Sequence, residues 1–373
     1  MQNIMIPEPL QICMDDVGWH NGSDDRPNGG SARTAMPRRH CAEDYAAVEK
    51  LGEKLRMRIN CGFVLGEWDP DNRLRGVPHA TKYGSRWDNA AFLDRDETER
   101  CAALLRSSAW IDIAVHGLLH NHYRAGFPYS NTDYYYRDNG RLCMAEETEI
   151  RCRLDTFFSL LREYRVDLPV NSFIPPNFVY RWGEIARILA DYGILYVSTP
   201  FGDDDMEMQP GQPKPERVGI DGSLIVTDRN FCRISWKETA SDPGNLPVTG
   251  GIFGVHWPNL LHPDPARHGE VIDTWVSYFR RCADTFGIVL SRDMADCATQ
   301  SLYCRYAVCR REKDTLTVDA SALPHAPGRK NAFRISARRP VTACTGCTLG
   351  ATVAGNGFYT TEVFPVSPVM TFA

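Results

Sequence analysis

Apolar positions recur along the chain with two periods, and the alternation between them predicts the elements. Residues 10–14 form a short apolar run that stops at two aspartates. Ala46, Val48, Leu51 and Leu55 recur at helical spacing, which predicts a helix over 42–55. The same reading predicts strands over 58–65, 110–115, 170–174, 194–198, 224–227, 252–256 and 288–290. It predicts further helices over 93–105, 146–164, 182–192 and 270–286, with Ile150, Leu154, Phe157, Phe158 and Leu161 as the inner face of the longest. Strands alternating with helices of ten or more residues imply a parallel sheet covered by helices. Seven or eight such units over this length favour an α/β fold closed into a (β/α) barrel. In such a barrel the loops after the strands build the site.

The pattern changes near Ser301. Helical spacing is lost, and short strands are expected over 303–308, 315–318, 332–336, 348–353, 358–363 and 369–372. Pro324, Gly328, Gly346 and Gly355-Asn356-Gly357 separate them. This predicts a barrel domain over 1–300 and a small all-β, sandwich-like domain over 301–373. The polar, proline-rich stretch 203–215 reads as a surface loop, and no internal repeat is visible.

Composition narrows the classes. The 373 residues are 43% hydrophobic and 24% charged, enough for a sizeable core. A formal charge of −5 without a long run of one sign speaks against a nucleic-acid binder, which needs a basic stripe. It suits a neutral or mildly cationic small molecule or a glycan. No stretch of about 18 apolar residues is present to span a membrane. Residues 1–10 lack the basic start and apolar run of a signal peptide. The 13 cysteines are odd in number and scattered, as expected for buried free thiols in a reducing, cytoplasmic compartment.

Candidate chemistry sits at the strand ends. Asp15 and Asp16 close the first apolar run, and two adjacent carboxylates need a proton or a cation between them when buried. His116 and His120 follow the strand over 110–115. Four residues apart, both imidazoles can reach one ion. Two imidazoles and one carboxylate leave positions open for water and substrate, which is a catalytic arrangement. His256 ends another apolar strand and suits a general acid, with His262 following it. Trp19, Tyr123, Phe127, Tyr129 and Trp257 are among the aromatic residues beside predicted strand ends, where ring faces can stack on sugars. Cys344 and Cys347 make only half of a zinc knuckle. No G-x-S-x-G and no P-loop occurs.

The ordered set Asp15-Asp16, His116-x-x-x-His120, Pro175-Pro176 and His256 resembles the polysaccharide deacetylases of the NodB-homology type, carbohydrate esterase family 4. The resemblance runs over residues 8 to 300. It implies a distorted (β/α) barrel, Asp15 as general base, and Asp16, His116 and His120 as ligands of a divalent ion. Zinc is the foremost ion, with nickel, cobalt and manganese open. It implies His256 as general acid and a water on the ion attacking an acyl group, foremost N-acetyl, of a saccharide or glycan. Trp19, Pro176, Tyr123, Trp257 and His262 are the candidate substrate contacts. The chain departs from the family pattern in four places. Val17 precedes Gly18 where glycine is usual, and Gly117 stands where Ser or Thr is usual. The arginine of the third motif is absent before Pro175, and the fourth motif has no match. The residues alone leave two alternatives open: another barrel metal enzyme such as a sugar isomerase, and a carbohydrate-binding protein without catalysis.

Overall fold

A computed structural model describes residues 3–23, 34–126, 130–201, 215–230 and 232–373. Phe127, Tyr129 and nearly all of the 203–215 stretch lie outside the described residues. The apolar runs become the strands of a nine-stranded sheet. These are β1 (Glu8–Val17), β2 (Ile59–Val64), β3 (Ile111–Gly117), β4 (Val170–Phe173), β5 (Tyr196–Thr199), β6 (Val218–Asp221), β7 (Leu224–Asp228), β8 (Gly251–His256) and β9 (Ile288–Leu290). The spatial order is β8-β1-β2-β3-β4-β5-β7-β6, with β9 beside the start of β1. All neighbours are parallel except the β6–β7 hairpin. A parallel sheet is buried on both faces, which is why β1 and β2 read as nearly continuous apolar runs.

The sheet curls until its flanks meet at a narrow seam. Arg229, just past β7, bridges to Ile252 of β8, and Asn230 N donates to Ile252 O at 2.9 Å. The expected barrel is therefore a curled mixed sheet whose far edge, β6, pairs among the described residues with its hairpin partner β7. Helices α1 (Ala42–Leu55), α2 (Arg95–Ser107), α3 (Glu147–Glu163), α4 (Ala186–Asp191) and α5 (His268–Ala283) accompany these strands. Their apolar stripes enter the core: Tyr45, Val48, Leu51 and Leu55 from α1; Ile150, Leu154, Phe157 and Leu161 from α3. Phe158 is only half-buried and stacks on Tyr192. The helix expected over 182–192 is limited to Ala186–Asp191, with Gly183 at φ 76° ahead of it.

Several elements were not anticipated, among them the edge strand β6, the short hairpin of Tyr135–Asp138 with Arg141–Met144, and one helix. Residues Met294–Tyr306 form a helix, α6, where the sequence suggested a strand over 303–308. Asp293 caps it by accepting from Asp296 N at 2.7 Å. Met294, Cys297, Ala298 and Leu302 pack with Cys13, Ile225 and Ile252 of the sheet. Gln300 Nε2 donates to Pro7 O, at the end of β1 remote from the aspartates.

Beyond α6 every named element is a strand. Val308–Glu312, Thr315–Asp319, Val369–Phe372 and Cys344–Thr345 make one antiparallel sheet. Phe333–Ala337, Phe358–Pro365 and Cys347–Gly355 make another, which is completed by Ile4–Met5 from the chain start. Leu316, Val318, Phe333, Ile335, Val363, Met370 and Phe372 share a core with Ile4. All thirteen cysteines are free thiols. Among the described residues, no helix is long and apolar enough to cross a membrane.

Candidate functional site

In a regular strand, successive side chains point to opposite faces. Asp15 and Asp16 escape that rule because β1 carries a bulge. Met14 pairs with Cys61 and Val17 with Phe63, so β1 has one residue more than β2 across this interval. Asp16 takes up the irregularity at φ 65°, a left-handed conformation uncommon outside glycine. Both carboxylates reach the same cavity in consequence. The end of β3 repeats the device: Phe63 pairs with Val115 and Val64 with Gly117, leaving His116 as the surplus residue. His256 ends β8 directly opposite Asp15.

The cavity has a volume of about 240 Å³ and is lined by Asp15, Asp16, His116, His120, Asn131, Asn177, Phe178, Cys232, Trp236 and His256. Asp16 Oδ1 lies 3.6 Å from His116 Nε2 and 4.0 Å from His120 Nε2. His116 Nδ1 donates to the carbonyl of Ile174 at 2.7 Å, which leaves its Nε2 lone pair facing Asp16. His120 Nδ1 donates to Asn131 Oδ1 at 3.1 Å and is oriented the same way. Burial alone would raise the Asp16 carboxyl, but the two imidazoles hold it well below the usual carboxylate range. Burial would lower His116, yet the neighbouring Asp16 and Asp15 carboxylates raise it.

These three residues suit a cation. One ligand atom from each lies within 4.8 Å of the others, and Asp16 Oδ1 and His116 Nε2 are buried without a hydrogen-bond partner. A tetrahedral zinc with bonds of about 2.0–2.1 Å needs ligand atoms about 3.3 Å apart. Small side-chain movements suffice to close the set.

Asp15 has a different setting. Arg229 holds it from two sides, Nη1 to Oδ1 at 2.7 Å and Nη2 to Oδ2 at 3.1 Å, with the Arg229 side chain fully buried. The Phe178 ring lies 5.3 Å from that guanidinium. Burial pushes the Asp15 carboxyl up, but Arg229 and the neighbouring imidazoles outweigh it and keep the group ionised. Gly254 makes room for the clamp, since a Cβ there would lie 2.2 Å from Arg229 Nη2. Cys232 Sγ lies 3.5 Å from Asp15 Oδ2, and burial pushes its thiol well up.

The sequence-based candidates divide. Asp15, Asp16, His116, His120 and His256 line the cavity. The five expected substrate contacts do not. Trp19 is a core residue. Trp257 is fully buried and stacks on His40 at 4.0 Å. Tyr123 joins its backbone to His79, and His262 Nδ1 accepts from Asp264 N. Pro176 is buried, but its neighbours Asn177 and Phe178, both left-handed at φ 53° and 60°, reach the cavity. Arg229 and Cys232 were missed. Arg229 follows an apolar strand directly, the same signal that marked His116.

Gly117 is required by its surroundings. Its φ is 123°, and a Cβ would lie 2.2 Å from Asp133 Oδ2. Asp133 also receives Leu118 N and Arg153 Nη1 at 3.1 Å each. Gly117→Ser should therefore lower stability by about 2–5 kcal/mol through backbone strain and overpacking, read as a fall in the urea midpoint.

No protein-family model matches this chain, and no curated protein matches it. The solved structures that align with it include the following two. A 4-alpha-glucanotransferase from Thermococcus litoralis aligns at 11% identity over 76% of this chain and 39% of its own, with a TM-score of 0.38. A GH57-type branching enzyme from the hyperthermophilic archaeon Pyrococcus horikoshii aligns at 14% identity over 77% of this chain and 62% of its own, with a TM-score of 0.37. The chain spans less than two thirds of either. Likeness at this level carries no argument about activity.

Proposed function

We propose that this protein is a metal-dependent hydrolase that removes an acyl group, foremost N-acetyl, from a saccharide or glycan. The reading follows the pattern of polysaccharide deacetylases of the NodB-homology type. The observation that carries it is the meeting of Asp16, His116 and His120 in one cavity beside Asp15 and His256, with Asp16 Oδ1 and His116 Nε2 lacking hydrogen-bond partners. A zinc ion held by those three residues would supply Lewis acidity, easing deprotonation of water and stabilising the oxyanion of the attacked carbonyl.

The chain's own residues do the rest. Asp15, ionised and fixed by Arg229, takes the proton of the attacking water. His256 stands across from it and gives a proton to the leaving amine. No arginine stands directly before Pro175; Arg229 reaches Asp15 from the end of β7. Trp236 and Phe178 offer the aromatic faces for a sugar ring that Trp19 and Trp257 do not.

Acetate release from an N-acetylated amino sugar is the direct test, run with the zinc-loaded protein, after chelation and after zinc is restored. His116→Ala should carry almost no zinc and release no acetate above background. Equal zinc content in His116→Ala and the unaltered protein would overturn the reading.

A further inference from the structure

A second donor set adjoins the first and shares no residue with it. Asp15, Cys232 and His256 each offer one ligand atom, and the three atoms lie within 4.8 Å of one another. They come from the end of β1, the segment after β7 and the end of β8. Thiolate sulfur, imidazole nitrogen and carboxylate oxygen together form a mixed set that zinc takes and that softer cadmium also accepts. We propose that these residues form a second, inhibitory site for a thiophilic divalent cation, which engages the base and the acid as ligands. The effect on turnover rests on the hydrolase reading; the binding itself does not.

The local chemistry supports both the binding and its order. Arg229 uses one lone-pair direction on each Asp15 oxygen, and a carboxylate has roughly four. Asp15 can therefore stay clamped and still face an ion. Arg229 Nη2 also donates to Cys232 Sγ at 3.3 Å, a contact that favours a thiolate. On binding, the Cys232 S–H bond breaks, a sulfur–metal bond forms, and one proton leaves to solvent through the cavity. With its ion in place and Cys232 deprotonated this set is neutral, with the Arg229 guanidinium beside it, whereas the loaded Asp16 set carries a single positive charge. The loaded Asp16 set and the Arg229 guanidinium both repel an incoming cation, so the second site fills only after the first, at higher metal concentration.

Cadmium titration of the zinc-loaded protein tests this. The ultraviolet thiolate-to-cadmium charge-transfer band is recorded, and bound ions are counted after gel filtration. The unaltered protein should bind one more ion than Cys232→Ser, and the difference between their spectra should be a thiolate–cadmium band. His116→Ala should lose an ion yet keep that band, so the two sites fail separately. His256→Gln should retain the thiolate band and weaken its cadmium affinity about tenfold or more. Identical ion counts and spectra for Cys232→Ser and the unaltered protein would overturn the proposal. Unchanged cadmium affinity in His256→Gln would do the same. Neither readout needs a substrate, so absence of acetate release would leave this result standing.

Discussion

Arg229→Met should lower stability by about 3–5 kcal/mol at neutral pH and shift the acid limb of kcat/KM to higher pH. The variant keeps the apolar stem but leaves the Asp15 carboxylate buried without its main cation, the costly way to break a buried pair. In the unaltered protein the Asp15 pKa is depressed. Its contribution is present above the unfolded value of about 3.9 and is lost as pH falls through the folded value. Without Arg229, burial dominates and the group protonates at higher pH. The penalty should then shrink on acidification, because a neutral carboxyl no longer needs the guanidinium. Urea unfolding at pH 7 and pH 5, with kcat/KM across the same range, measures both effects. Superimposable acid limbs would show that Arg229 does not tune Asp15.

Asp44→Ala should be comparably damaging, at about 3–5 kcal/mol, for a reason outside the cavity. Asp44 is fully buried and accepts from Arg38 at 2.6 and 3.0 Å, from His40 Nδ1 at 2.8 Å and from His268 Nε2 at 2.8 Å. It ties the start of α1 to the start of α5. Through Arg38 Nε, which donates to Pro263 O at 2.7 Å, it also holds the loop after His256. Burial lowers His40, so that ring stays neutral, donating to Asp44 and accepting from Thr34 Oγ1 at 2.8 Å. Burial would raise Asp44, but its hydrogen bonds from His268, His40 and Arg38 keep it well below the usual range. Its contribution is therefore full above pH 4 and lost as pH falls below that. The gap between the unaltered protein and Asp44→Ala in chemical unfolding should be constant from pH 5 to 8 and close under stronger acid. A gap that widens on acidification would contradict this assignment.

The strands were legible because parallel strands buried on both faces read as unbroken apolar runs. The observed bounds of α1 and β9 coincide with those expected from spacing alone. Helix α6 was not legible because a helix buried on nearly every side has no polar stripe, and its Cys297–Ser301 segment carries no amphipathic signal. Asp15, Asp16, His116, His120 and His256 could be singled out since each ends or follows an apolar strand. Aromatic residues carry no such mark. Trp19 and Trp257 stand beside strand ends in sequence, yet their rings face the core. Arg229 and Cys232 belong to no recognised motif, and only the curl that brings β7 against β8 shows what they touch.

The two bulges bear on how far the spacing of the first motif can vary. Val17, the residue that separates the aspartates from Gly18, belongs to the segment that is one position longer than its neighbour strand. Deleting one position there would restore plain alternation and turn one of the two acids out of the cavity. The extra position in β1 is thus what brings both carboxylates to one cavity.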